Sequence, residues 1–176
     1  RSFDKSKIKI KDMASIRHAE RTDCPIILKL IKELAEYEKA PDAVEATVEI
    51  LEESLFEKNQ AKVVLLEEEN GECVGFALYF FNFSTWRGKA GLYLEDLYVQ
   101  PQYRGKGYGK MLLSYLANQA MEQGCPRFEW IVLDWNKPSI DFYKAMGAYP
   151  LDEWTVYRLE NEALSALAQK YKNEYE

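Results

Sequence analysis

The hexapeptide RGKGYG, Arg104 to Gly109, sets three glycines and two cations between the strand-like run LYLEDLYV and a helical pattern that opens at Tyr108. A strand that passes through a glycine turn into a helix leaves backbone amides unpaired at the positive end of the helix dipole. That is an anion site, and phosphate suits it best. Arg104 and Lys106 add charge, while Gly105, Gly107 and Gly109 let the backbone approach an oxygen with no Cβ in the way. Taken alone, such a hexapeptide is equally an ordinary tight turn. Its spacing is that of neither a Walker P-loop nor a GxGxxG dinucleotide fingerprint. Two carboxylates, Glu95 and Asp96, stand in the strand just before it. In a regular strand they point to opposite faces and do not share one task.

The elements that must position these groups follow from the apolar pattern. Ser15 to Glu20 reads as a first strand, and Thr22 or Asp23 caps a helix with a buried stripe at Ile27, Leu30, Ile31, Leu34 and Tyr37. Pro41 breaks it, and Thr47 opens a second short helix to about Phe56. Lys62 to Leu66 and Cys73 to Phe83 form antiparallel neighbours joined through Asn70-Gly71, a hairpin signal. Leu92 to Val99 is the next strand, followed by the glycine turn and a helix from Tyr108 to Gln123 that buries Leu112, Leu113, Leu116, Ala117 and Ala120 and stops at Gly124. Phe128 to Leu133 reads as a strand, Pro138 to Gly147 as a short helix, Trp154 to Leu159 as a last strand, and Asn161 as the cap of a C-terminal helix. In the strand before the turn, Leu92 and Leu94 share one phase and Leu97 and Val99 the other, which points to a bulge. The order implies an α/β (α+β) sandwich with a mixed sheet, not a Rossmann domain.

Composition bounds the chemistry. At 176 residues the chain suits one domain, read here as 13–176, with the polar, basic residues 1–12 as an extension before Met13. The formal net charge of -6 offers no field for nucleic acid and favours a small cationic partner. One histidine, His18, and three scattered cysteines, Cys24, Cys73 and Cys125, argue against a structural metal site and a Ser-His-Asp triad. An odd cysteine count and no long apolar run point to a reduced, cytoplasmic setting and to no membrane span.

Read with its neighbours, the turn becomes specific. R-x-x-G-x-G after a strand and before a helix resembles the acetyl-CoA signature of the GNAT N-acetyltransferases, and LDWNKPSIDFYKAMGA, about 25 residues on, resembles that family's second element. ELAEYEKAPD, FSTWRGK and YLEDLYVQPQYRGKGYG look like the diamine acetyltransferase subfamily, closest to its thialysine Nε-acetyltransferase branch. The resemblance covers roughly Ala14 to Leu159 and implies the GNAT fold, with a mostly antiparallel central sheet flanked by helices. It also implies acetyl-CoA as co-substrate, the turn holding its pyrophosphate, and a homodimer.

It implies roles as well. Acetyl transfer from a thioester to an amine needs a neutral amine, a polarised carbonyl and a protonated or stabilised thiolate. Glu95 is the candidate base, working through water, and Tyr143 the candidate acid for the thiolate. Leu97 and Val99 offer backbone amides to the thioester and pantetheine. Tyr108 belongs to the cofactor turn, and Asn136 and Ser139 to the second element, where Asn136 serves as helix cap and pantetheine contact. Glu36, Tyr37, Glu38, Ser84, Trp86 and Asp96 are candidates for receiving the alkylammonium. By pattern alone helix packing is the simpler account of Tyr143, and a solvated helix end explains Glu36 and Glu38 equally well. Where the polyamine branch carries an acid, this chain has Ser84, which favours a lysine-like or thialysine-like amine first, a short diamine second and spermidine third. Acetylation of a peptide lysine and acetyl-CoA binding without turnover stand as alternatives.

Overall fold

The computed structural model describes residues 14–176, so the expected extension lies outside the described residues. Contacts divide the chain into two compact units, the first ending at Leu133 and the second spanning Asp134–Glu176.

The first unit is built on a five-stranded sheet in the order β1-β2-β3-β4-β5: β1 Ala14–His18, β2 Lys62–Glu68, β3 Cys73–Ser84, β4 Lys89–Val99 and β5 Phe128–Glu129. The first four strands are successive antiparallel neighbours, and β5 joins β4 in parallel through only Leu92↔Phe128 and Tyr93↔Glu129. The expected strand to Leu133 is therefore cut to two residues. Gly71, at φ 83°, turns β2 into β3 as the Asn-Gly signal predicts.

Alternation along the strands divides the core. Val63, Leu65, Phe76 and Tyr98 pack with Ile27, Leu30 and Leu34 of α1, Cys24–Tyr37, and with Leu51 of α2, Val48–Glu52. The alternate set, Val64, Leu66, Ala77, Tyr79, Leu92 and Leu94, is buried too. Leu112, Leu113, Leu116 and Ala120 of α3, Tyr108–Glu122, are buried as the helical periodicity predicts, whereas Ala117, expected in the same face, is exposed. Thr47 caps α2, its Oγ1 accepting the Ile50 amide at 3.2 Å. Asp23 precedes α1 but does not cap it with its side chain; its carboxylate holds Arg17 at 2.7 Å instead.

The second unit carries α4, Lys137–Ala145, and α5, Asn161–Tyr175. Asn136 caps α4, its Oδ1 accepting the Ser139 amide at 3.4 Å. Asn161 opens α5 with φ 53° rather than capping it. The expected strand from Trp154 to Leu159 forms no ladder. Its aromatic and β-branched residues satisfy local preference, but a strand exists only where a neighbouring edge accepts its hydrogen bonds.

Candidate active site

The centre of the site is an irregularity in β4. Leu78 faces Asp96 and Tyr79 faces Leu94, so Glu95 has no counterpart on β3. This is a β-bulge, and it changes both side chains and backbone. Leu94 and Leu97 stand opposite Tyr79 and Ala77 of the alternate set, whereas Asp96 stands opposite Leu78, which packs on the α1 cluster. Two residues, Glu95 and Asp96, thus fit between Leu94 and Leu97 on the α1 face. The expectation that they point apart assumed a regular strand and is corrected.

The consequence is an acidic trio. Asp96 is pushed up to about 7, first by burial and then by the charges of Glu95 and Glu38. Glu38, at the end of α1, is pushed up by burial and by Glu95. Asp96 and Glu38, both pushed up in part by the charge of Glu95, make with it a receptor for a cation, and Asp96 a proton acceptor near neutrality.

The bulge also re-aims the backbone. The Gln100 amide donates to Val74 O at 2.9 Å, so the narrow pairs of the ladder above the bulge are Gln100–Val74, Tyr98–Phe76 and Asp96–Leu78. By the same alternation, the N–H and C=O of Leu97 and Val99 point away from β3. Because β5 pairs no further than Tyr93, these groups meet an edge with no strand beside them among the described residues. Arg104 Nε takes the Val99 carbonyl at 3.1 Å, leaving the amides of Leu97 and Val99 toward the gap.

Val99 leads through Pro101–Tyr103 into the glycine turn. Gly105 and Gly107 adopt φ 79° and 84°, left-handed values that explain glycine at both positions. Arg104 donates to Pro101 O, and the next backbone amide along the chain with a described backbone acceptor is Met111, on Gly107 O at 2.9 Å. The amides from Gly105 through Gly109 therefore form the nest that the spacing predicts. The two cations are already engaged. Arg104 lies 5.0 Å from the Tyr37 ring and 5.8 Å from Tyr98, and Lys106 Nζ is 3.4 Å from Glu68. Tyr108 is buried and donates to Glu68 at 2.7 Å, which leaves the backbone as its contribution to the nest. A recess of about 440 Å³ flanks the turn, lined by Glu68, Glu69, Asn70, Tyr103 and Lys106.

Other expected residues are distributed differently. Tyr37 stacks on Arg104, Glu36 acts on Tyr98, and Glu38 is coupled to the carboxylates. Ser84 is buried at the far end of β3, its Oγ accepting the Arg87 amide at 3.2 Å. Six residues of strand separate it from Leu78, about 20 Å. Ser84 and the 91% exposed Trp86 thus build the hairpin tip and do not join the acidic trio of their own chain. In the second unit, Tyr143 lies on α4, half-buried, its ring 5.6 Å from Phe142. Asn136 is buried and Ser139 is engaged through its amide.

Sequence reasoning missed the clamp on this segment. Glu33 of α1 accepts from Gln100 Nε2 at 3.1 Å and from the Tyr98 hydroxyl. A buried glutamine after the strand was its one signal. Among the described residues no group of three or more His, Cys, Asp or Glu is placed to hold a metal, and no helix is long and apolar enough to cross a membrane.

A parallel pair that parts beside a bulge, with free amides leading into a glycine nest, defines an acyl-carrier cleft. Residues 25–148 match the Acetyltransferase (GNAT) family, and the chain belongs to that family. It is 43% identical over 166 residues to the thialysine N-epsilon-acetyltransferase of Bos taurus, covering 88% of this chain and 97% of that protein. It is 34% identical over 197 residues to an L-ornithine N5-acetyltransferase of Arabidopsis thaliana, with 86% of each covered. A V. cholerae integron cassette protein of known structure superposes with a TM-score of 0.75 at 28% identity, over 89% of this chain and 98% of that one. The chain is a GNAT N-acetyltransferase of the diamine acetyltransferase kind.

Proposed function

We propose that the enzyme moves acetyl from acetyl-CoA to the side-chain amine of a lysine-like or thialysine-like amino acid, with a short diamine second and spermidine third. The observation that carries this reading is the β4 bulge, which combines a carboxylate trio on one face with two outward amides at the open edge. Acetyl-CoA supplies the activated acyl group. The nest from Gly105 to Gly109 fits its pyrophosphate, and the amides of Leu97 and Val99 fit its pantetheine and thioester oxygen. Glu95 takes one proton from the ammonium through water, the neutral nitrogen forms the new C–N bond as the C–S bond breaks, Tyr143 gives its proton to sulfur, and the second nitrogen proton, released through water, restores Tyr143. Asp96 and Glu38 hold the cation before transfer. Steady-state rates on thialysine, lysine, ornithine, putrescine and spermidine test the order, and the highest kcat/KM on spermidine would contradict it.

The same reading takes 13–176 as one catalytic domain in a cytoplasmic homodimer without nucleic-acid or membrane partners. The family match runs from residue 25 across the unit boundary to residue 148, and all three cysteines are free. Leu164, Leu167 and Tyr171 of α5 are each more than half exposed, as are Trp154 and Tyr157, which gives a two-fold partner apolar area to cover. Sedimentation at micromolar concentration should show a dimer; a fully active species near 20.5 kDa would exclude it.

A further inference from the structure

The face of β4 that carries Glu95 continues toward the hairpin through Tyr93 and Gly91. Tyr93 stands opposite Glu129 in the parallel pair and opposite Phe80 across β3, with the two rings 5.1 Å apart. Arg127 reaches over Gly91. A Cβ built on Gly91 would meet Arg127 Nε at 2.9 Å and Asn82 Oδ1 at 2.5 Å, so any other residue there would force these two side chains to shift. Arg127 Nε lies 2.7 Å from Glu129, and Nη2 donates to Phe83 O at 3.0 Å. The Nε–Glu129 approach is an ion pair without hydrogen-bond geometry, so Nε is buried without a hydrogen-bond partner among the described residues and only Nη2 has a described hydrogen bond. Both members of the pair stay accessible, with side-chain exposures of 36% and 33%. Asn82 Oδ1 beside them is buried with no hydrogen-bond partner among the described residues. Glu95 and Glu129 both act on the Tyr93 hydroxyl, which is pushed up mainly by burial and then by these two charges.

We propose that Arg127 and Glu129 form a subsite for the zwitterionic head of an amino-acid substrate, Arg127 taking its α-carboxylate and Glu129 its α-ammonium. This rests on the acetyl-transfer reading above and names the substrate class of the same site. The spacing carries it. Two residues of strand set Glu95 about 7 Å from Tyr93 along β4. The extended side chain of lysine spans roughly 6 Å from Cα to its terminal nitrogen. A substrate whose reactive amine lies at Glu95 therefore lays its α-carbon over Tyr93, between a cation and an anion of the right order. A diamine has nothing to offer Arg127. The Phe80–Tyr93 ring pair floors the aliphatic chain between the two ends.

The test compares kcat/KM for lysine, cadaverine, which lacks the α-carboxylate, and 6-aminohexanoate, which lacks the α-ammonium. Arg127→Gln should lower the lysine-to-cadaverine ratio about 10- to 100-fold, the usual size for a charge-assisted bond. Arg127→Lys, which keeps charge and stem, should restore part of it. Glu129→Gln should lower the lysine-to-6-aminohexanoate ratio by a similar factor. Ratios unchanged in all three variants overturn the subsite and leave the proposed function standing; a wild-type enzyme that acetylates cadaverine but not lysine overturns the subsite and reverses the proposed order of amines, while acetyl transfer itself stands. Lysine binding seen by calorimetry and lost in Arg127→Gln, with no turnover of any amine, overturns the transfer reading alone. Neither binding nor turnover overturns both.

Discussion

Replacing Asp96 with asparagine probes the acidic trio through stability, before any substrate is added. The carboxyl rises from 3.8 to about 7 on folding, so between these values the native state holds a proton that the unfolded chain has released. By linkage, such a group lowers stability progressively as pH rises from about 4 to about 7, and the cost is complete above the folded value. The full difference corresponds to about 4 kcal/mol, which water reaching a half-buried carboxyl reduces to about 2 kcal/mol. An amide keeps the shape without the charge. Part of that cost is already present at pH 5, so urea denaturation at pH 5, 6.5 and 8 should show Asp96→Asn gaining on the wild type by about 1.3 kcal/mol between the lowest and highest pH. Bound amine should recover much of that loss in the wild type, because an ammonium supplies the missing counter-charge. Parallel stability profiles for the two proteins would refute the argument and leave Asp96 as an ordinary surface acid.

Three further substitutions separate the other roles. Tyr143→Phe should lower kcat by roughly two orders of magnitude with little change in acetyl-CoA affinity, since the hydroxyl contributes only a proton; an unchanged kcat reduces Tyr143 to packing. Glu95→Gln should lower kcat similarly and remove the acidic limb of the pH-rate profile, and a limb that stays in place assigns the base elsewhere, to Asp96 or water. At Gly105 a methyl would meet no atom within 4 Å, so the cost of Gly105→Ala is the left-handed backbone alone, about 1 kcal/mol. That predicts a several-fold rise in acetyl-CoA KM with amine KM unaffected, and an equal rise in both would contradict the nest.

What the sequence made legible was whatever depends on local chemistry. The Asn-Gly hairpin, the apolar stripe of α3, the glycine nest and the Asn136 cap are encoded within a few residues, and each is found where its residues lie. The bulge was legible only as a change of apolar phase between Leu94 and Leu97, because the missing counterpart of Glu95 lies on β3, seventeen residues back at Leu78. The facing of Asp96 then followed the bulge and not the simple alternation. Ser84 and Trp86 precede Glu95 closely in sequence, yet a fully paired hairpin carries them to its far end. The segment from Trp154 to Leu159 has strand composition but no ladder, since pairing is a property of edges and not of composition. The Glu33–Gln100 clamp joins residues with no mutual motif.

The most direct test of the central claim is to incubate the purified enzyme with acetyl-CoA and lysine or thialysine and to follow both products by mass spectrometry. The account predicts one free coenzyme A for each acetylated amino acid, with the acetyl group on the side-chain nitrogen. Release of coenzyme A with free acetate only, or no product from any amine in the panel while acetyl-CoA binds, would contradict it.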